Sequence, residues 1–174
     1  MSDAQTAKIA LKPSQRLALI NWFTGKKWKG YDDRRKRRRL REALRIQPDR
    51  DYRIVTEPAG ENERGEKMYR HIIELGRFVG DDDEKKFQRL TLAEGRHAHL
   101  FDVTMDQVDY MIGRLKDEET VDGQADTILD IEDALHAIKS DTYQCPPVQA
   151  WADLPDEAFK AVKDPETNAD EADE

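Results

Sequence analysis

An α+β fold is predicted for this 174-residue chain on three observations. Residues 34–46 run without Gly or Pro behind Asp32 and Asp33, which is the pattern of a helix with acids at its N-terminus. Three segments between residues 52 and 92 have strand composition or two-residue alternation. Residues 104–139 carry two apolar stripes at helical spacing. Together they give two N-terminal helices (the second strongly basic), a small antiparallel sheet of about three strands, a C-terminal helical pair and a disordered acidic tail. The expected organisation is a flexible lead-in over 1–12, a single α+β domain over 13–140 and a Pro-containing acidic extension over 141–174. Within that domain lie the basic helix 32–46 and the helical pair 104–139.

The elements follow in order. Ser14 as N-cap and Gly25 as stop frame an apolar helix through Leu17, Leu19, Ile20, Trp22 and Phe23. The basic helix comes next and Pro48 ends it. Tyr52–Thr56 reads as a strand, residues 57–65 as a polar turn, and Met68–Leu75 as the returning strand of a long-looped hairpin. Met68, Ile72 and Leu75 also fit a helical face, so periodicity alone leaves that segment open. After the acidic turn at Gly80–Asp83, Lys86–Leu92 alternates as a third strand. Thr104 with Gln107 forms a capping box, and Val103 with Val108 a hydrophobic staple, at the start of a helix carrying Val108, Met111, Ile112 and Leu115. Ile128, Ile131, Leu135 and Ile138 mark a further helix over about 127–139, whose stripe docks either on its predecessor or on a second copy. Pro146 and Pro147 break the chain, and a last short helix is expected through Glu157, Phe159 and Val162.

Charged residues make up 38 % of the chain and hydrophobic residues 37 %, which places the core between residues 17 and 138 and leaves both ends too polar to pack. Cys145 is the single cysteine, which excludes an internal disulfide and favours a reducing compartment. Neither a secretory leader nor a run of about 18 apolar residues is visible, so the expectation is a cytoplasmic protein with no membrane contact.

Charge is sorted along the chain. Residues 26–45 hold eleven Lys or Arg against three acids, whereas residues 117–174 hold eighteen acids against three lysines. At 3.6 residues per turn Arg34, Arg38, Arg41 and Arg45 form one stripe, flanked by Arg35, Arg37 and Arg39. Like charges four apart repel, and phosphates would relieve them by accepting from the planar guanidinium fork and releasing counterions. Trp28 and Tyr31, beside Lys26, Lys27 and Lys29, offer stacking surfaces for unpaired bases. The bland alternative is a solvated face neutralised by Glu42 and other acids, with both aromatics in the core.

Catalytic patterns are weak by comparison. His97 and His99 would share a face on a strand, but no Cys pair or HExxH accompanies them, so no metal site is expected. Asp81–Glu84 ahead of Lys85 and Lys86 sits in a turn rather than on paired strands, as a two-acid magnesium site would need. Cys145 precedes two prolines with no neighbouring His, and neither GxGxxG nor GxxxxGK[ST] occurs, so no cofactor is expected. The reading is therefore a non-enzymatic nucleic-acid-binding accessory protein, with RNA and DNA equally compatible and the acidic segment as an internal competitor. The alternative is a protein-binding assembly factor or inhibitor, such as a phage or mobile-element accessory, that engages a protein partner through the basic helix or the acidic surface, with the Ile128–Ile138 stripe as a further surface for a partner or a homodimer.

Overall fold

The computed structural model describes residues 5–81, 83–116 and 122–162. The expected acidic tail over 164–174 lies outside them. Among the described residues the chain is α+β, with four α-helices and two antiparallel sheets of two and four strands. It forms two compact units: Met1–Gln47 with Leu92–Leu154, and Pro48–Thr91 with Pro155–Glu174.

The first unit opens on a strand where a lead-in was expected. β1 (Thr6–Leu11) pairs antiparallel with β5 (His99–Thr104), with Ile9 opposite Phe101 and Leu11 opposite His99. Every second residue of each strand points inward, and Ile9, Leu11, His99, Phe101 and Val103 are all buried. Six residues with Lys8 in their midst carry too little apolar signal to stand out alone; the partner ninety residues on makes the strand.

Pro13 occupies the first turn of α1 (Pro13–Thr24) and Gln15 accepts a hydrogen bond from the Lys12 amide at 2.8 Å, so the cap lies two residues before the expected Ser14. Gly25 closes the helix as expected, its amide donating to the Asn21 carbonyl at 3.1 Å. The basic helix α2 (Gly30–Ala43) begins and ends two to three residues earlier than the sequence suggests. It stops in a Schellman turn: the Ile46 amide reaches back to the Arg41 carbonyl at 3.0 Å, and Arg45 takes the left-handed conformation at φ 53°.

α3 (Met105–Lys116) starts in the expected capping box, with the Gln107 amide donating to Thr104 Oγ1 at 3.1 Å and the Thr104 amide to Gln107 Oε1 at 2.9 Å. α4 (Asp122–Lys139) packs on α1, α3 and β1. Its stripe Ile128, Ile131, Leu135 and Ile138 is buried inside this unit. Of the two dockings open to that stripe, on the preceding helix or on a second copy, the structure shows the first: the apolar face packs against α3, α1 and β1. The chain beyond Asp141 also packs, with Tyr143 Oη accepting from the Ala10 amide at 3.0 Å and Trp151 buried.

Arg16 has no exposed surface. Its Nε donates to the Leu44 carbonyl at 3.3 Å, its Nη2 donates to the Arg45 carbonyl, and its guanidinium lies 4.2 Å from the Trp151 ring centre and 5.0 Å from that of Phe101. A cation is thus held by the carbonyl end of α2 and by two aromatic faces. Beside it, burial lowers the pKa of His99, helped by the Arg16 and His97 charges and opposed by Glu94, whose carboxylate lies 3.2 Å from His99 Nε2.

The second unit is a four-stranded sheet in the order β2 (Tyr52–Glu61), β3 (Lys67–Val79), β4 (Lys86–Leu90), β6 (Phe159–Ala161). The hairpin is longer than expected, because residues 57–61 continue the strand through a bulge and only Asn62–Glu66 turn. Asn62 Oδ1 ties that turn, accepting from the amides of Arg64 and Glu66 at 2.9 Å each. The helix expected through Glu157–Val162 is instead a 3₁₀ turn leading into β6, the fourth strand. Three residues cannot announce a strand by periodicity.

Gly76 is required by close approach: a Cβ there would lie 2.0 Å from the Gln88 carbonyl oxygen and 2.7 Å from Phe87 Cζ. Gly76→Ala should destabilise the protein by about 1–3 kcal/mol, read from the denaturation midpoint. Arg16→Met keeps the stem but leaves the Leu44 and Arg45 carbonyls without their donor, and should cost about 2–4 kcal/mol in the same assay.

Candidate nucleic-acid interface

α2 divides its cations between two faces. Leu40, Arg41 and Leu44 are buried and Asp33 and Arg37 half-buried, all on the side facing the unit. Arg34, Arg35, Arg38 and Arg39 are exposed on the other side, with Lys36 at its margin. Among the described residues, no carboxylate forms an ion pair with any of these four arginines. Arg34 donates its Nε to the Gly30 carbonyl at 3.0 Å, which steadies the first turn and leaves its terminal nitrogens outward.

The stripe read from the sequence is thereby split. Arg34 and Arg38 share the exposed face with Arg35 and Arg39. Arg41 turns inward instead, with its Nε donating to the Ile46 carbonyl at 3.2 Å and its guanidinium 5.5 Å from the Phe23 ring centre. Arg45 is exposed but lies beyond the helix in the left-handed turn, so it leaves the 3.6-residue register.

The two aromatics also separate. Trp28 is half-buried and stacks on Phe23 with centres 5.4 Å apart, edge-on to Trp22 at 6.0 Å. The Arg37 and Arg114 guanidinium groups lie 5.0 and 4.7 Å from its ring centre. Trp28 and Arg37 therefore take part in the packing of α2. Tyr31 remains 72 % exposed at the first turn of α2. Lys27 and Lys29 are exposed ahead of the helix, and Lys26 is half-buried.

α3 holds the basic helix in place through residues that its sequence pattern alone does not single out. Tyr110 Oη donates to the Asp33 carboxylate, Arg114 Nη2 to the Lys27 carbonyl at 3.2 Å, and Gln107 Nε2 to the Arg39 carbonyl at 3.4 Å. Asp33 also accepts from the Lys29 amide at 2.9 Å. Partial burial alone would raise the Asp33 pKa, but the Tyr110 and Lys29 hydrogen bonds and the Arg114 and Lys36 charges bring it below its usual 3.8. Burial, the Asp33 hydrogen bond and the Asp33 charge push Tyr110 well up, so it stays a protonated donor.

The remaining candidates do not converge. His99 is buried against Trp151 with ring centres 5.5 Å apart. Among the described residues no group of three or more His, Cys, Asp or Glu is arranged to hold a metal ion. Cys145 is exposed. No helix among the described residues is long and apolar enough to cross a membrane. Comparison with protein-family models, curated proteins and solved structures gives no match.

Because Asp33 has a lowered folded pKa, its contribution to stability is present above the unfolded value and is lost as pH falls through the folded one. Tyr110→Phe removes one cause of that depression. The stability-against-pH curve of the variant should be flatter than wild type below about pH 4, measured by urea denaturation across pH 2–6.

Proposed function

We propose that this protein is a non-enzymatic nucleic-acid-binding accessory protein that grips the phosphate backbone through α2. The observation that carries the reading is the exposed face of Arg34, Arg35, Arg38 and Arg39, in which four guanidinium groups stand together without carboxylate partners among the described residues. Such a face suits phosphate because each fork can make parallel charge-assisted hydrogen bonds and each neutralised phosphate releases counterions. Lys27 and Lys29 extend the charge towards the helix start, and the exposed ring of Tyr31 is the remaining stacking surface. Arg41, Arg37 and Trp28 position this face rather than contact the ligand.

A second reading, a protein-binding accessory, is supported by exposed Leu129 on α4, flanked by the exposed carboxylates of Asp126, Asp130 and Asp133. A basic partner with one apolar residue would suit that surface. The acidic stretch from residue 164 onward is also a candidate competitor for the α2 face.

Fluorescence anisotropy with labelled single-stranded RNA, single-stranded DNA and duplex DNA decides between them. Wild type should lose affinity with salt at a log–log slope of about −3, as expected for four phosphate contacts. Arg38→Gln should weaken binding to every sequence alike and make the slope shallower by about one, while Arg64→Gln, an exposed cation in the hairpin turn, should leave both unchanged. Absence of salt-sensitive binding to all three nucleic acids would overturn the reading. Truncation after Val162, which keeps Trp151 and β6, should tighten binding if the tail competes.

A further inference from the structure

Beside the arginine face lies an open groove of about 620 Å³, lined among others by Lys36 and Arg39 of α2 and by Asp106, Asp109 and Tyr110 of α3. Its charges are not all available. Asp109 is paired with Lys139 at 2.8 Å. Gln107, also in the wall, is occupied at both ends, by the Thr104 amide and the Arg39 carbonyl. Tyr110 gives its hydroxyl hydrogen to Asp33 and has the Lys36 ammonium 5.8 Å from its ring centre. Left over are the Asp106 carboxylate, exposed at the second position of α3, and the Arg39 guanidinium, neither with an ion-pair partner among the described residues. One groove thus presents an acceptor-only group and a phosphate-seeking group together, and Arg39 belongs both to it and to the exposed arginine face.

A carboxylate next to a cationic face is adverse for a plain backbone binder, since it repels phosphate. It becomes favourable if the ligand brings hydrogen-bond donors. Among the four bases, guanine alone presents two parallel donors on one edge, N1–H and the N2 amino group, matching the two oxygens of an ionised carboxylate. Adenine and cytosine each offer one exocyclic amine, and uracil or thymine a single ring N–H.

We infer that this groove takes one unpaired guanine of a bound strand, with Asp106 accepting from N1–H and the N2 amino group while Arg39 and Lys36 hold the neighbouring phosphate. The inference rests on the nucleic-acid reading above and adds a base preference to it. It also requires a single strand, because the guanine edge used is the one that base pairing covers.

The test uses the full chain and labelled eight-residue pyrimidine oligonucleotides carrying one central guanine, inosine, adenine or uracil. Guanine should bind about tenfold tighter than uracil, as for a good bidentate contact, and inosine, which lacks the N2 amino group, should lose most of that gain. Asp106→Asn should bring the four oligonucleotides to similar affinity while keeping the salt slope of wild type. Equal affinities for guanine and uracil, or a guanine preference unchanged in Asp106→Asn, would overturn the inference and leave backbone binding standing. Absence of salt-sensitive binding to any of the four would overturn the function reading and this inference with it. The inosine comparison needs no variant, so a folding defect in Asp106→Asn cannot mask the outcome.

Discussion

The guanidinium of Arg16 is a full charge placed where water does not reach, and much of the first unit is arranged around keeping it there. Desolvating such a group costs several kcal/mol, roughly, unless its donors and charge are met. Here Nε and Nη2 are met by the carbonyls of Leu44 and Arg45 at the negative end of α2, and the charge by the faces of Phe101 and Trp151. The contact therefore joins α1, the end of the basic helix, β5 and the chain near residue 151. It also explains the left-handed Arg45, a conformation that costs a non-glycine residue about 1–2 kcal/mol. Turning the chain at that residue aims two successive carbonyls at one guanidinium. His99, next to the same cation, has its pKa lowered by burial and by that charge.

With its C-terminal end anchored, α2 can carry an unusual density of positive charge. The helix manages this by giving its arginines two kinds of surroundings. Arg37 and Arg41 lay their stems inward and their planar heads on Trp28 and Phe23, where the ring quadrupole favours a cation. Arg114 of α3 joins them on the other element. Arg34, Arg35, Arg38 and Arg39 remain in water and repel one another by a few tenths of a kcal/mol per pair, roughly, which leaves them ready to gain from an anion. Asp33, held by Tyr110 and the Lys29 amide, offsets the charge at the helix start where the dipole favours an acid.

The second unit shows how much sheet can be built from weak local signals. Arg53 and Arg89 converge on Glu74, at 3.3 and 3.7 Å, and Arg53 also lies 4.8 Å from the Phe87 ring centre on the same sheet face. On the opposite face Arg77 bonds Gln88 and Asp156 and lies 4.2 Å from the ring centre of Phe159. Gly76, between these two layers, lets β4 approach closely enough for both to form. Cross-strand pairs of this kind exist only once the register is set, so no single strand advertises them.

What the sequence determined by itself is whatever depends on neighbours within a few residues. The capping box of Thr104 and Gln107, the stop at Gly25, the α2 run, the pairing of Tyr52–Thr56 with the returning strand and the apolar stripe of α4 are all local patterns, and each stands in the structure. The α+β class followed from their order. Tertiary structure alone decided the rest. β1, β5 and β6 are short strands made by partners far along the chain, and the stripe on α4 met α1, α3 and β1 rather than a second copy. The same holds for the candidate site: the sequence placed the charge on one helix, but helical spacing treats Arg38 and Arg41 alike. Only the presence of Phe23, Trp28 and Arg16 beside that helix decides which arginines turn inward and which remain for a ligand, because a guanidinium goes wherever carbonyls and aromatic faces can replace its water.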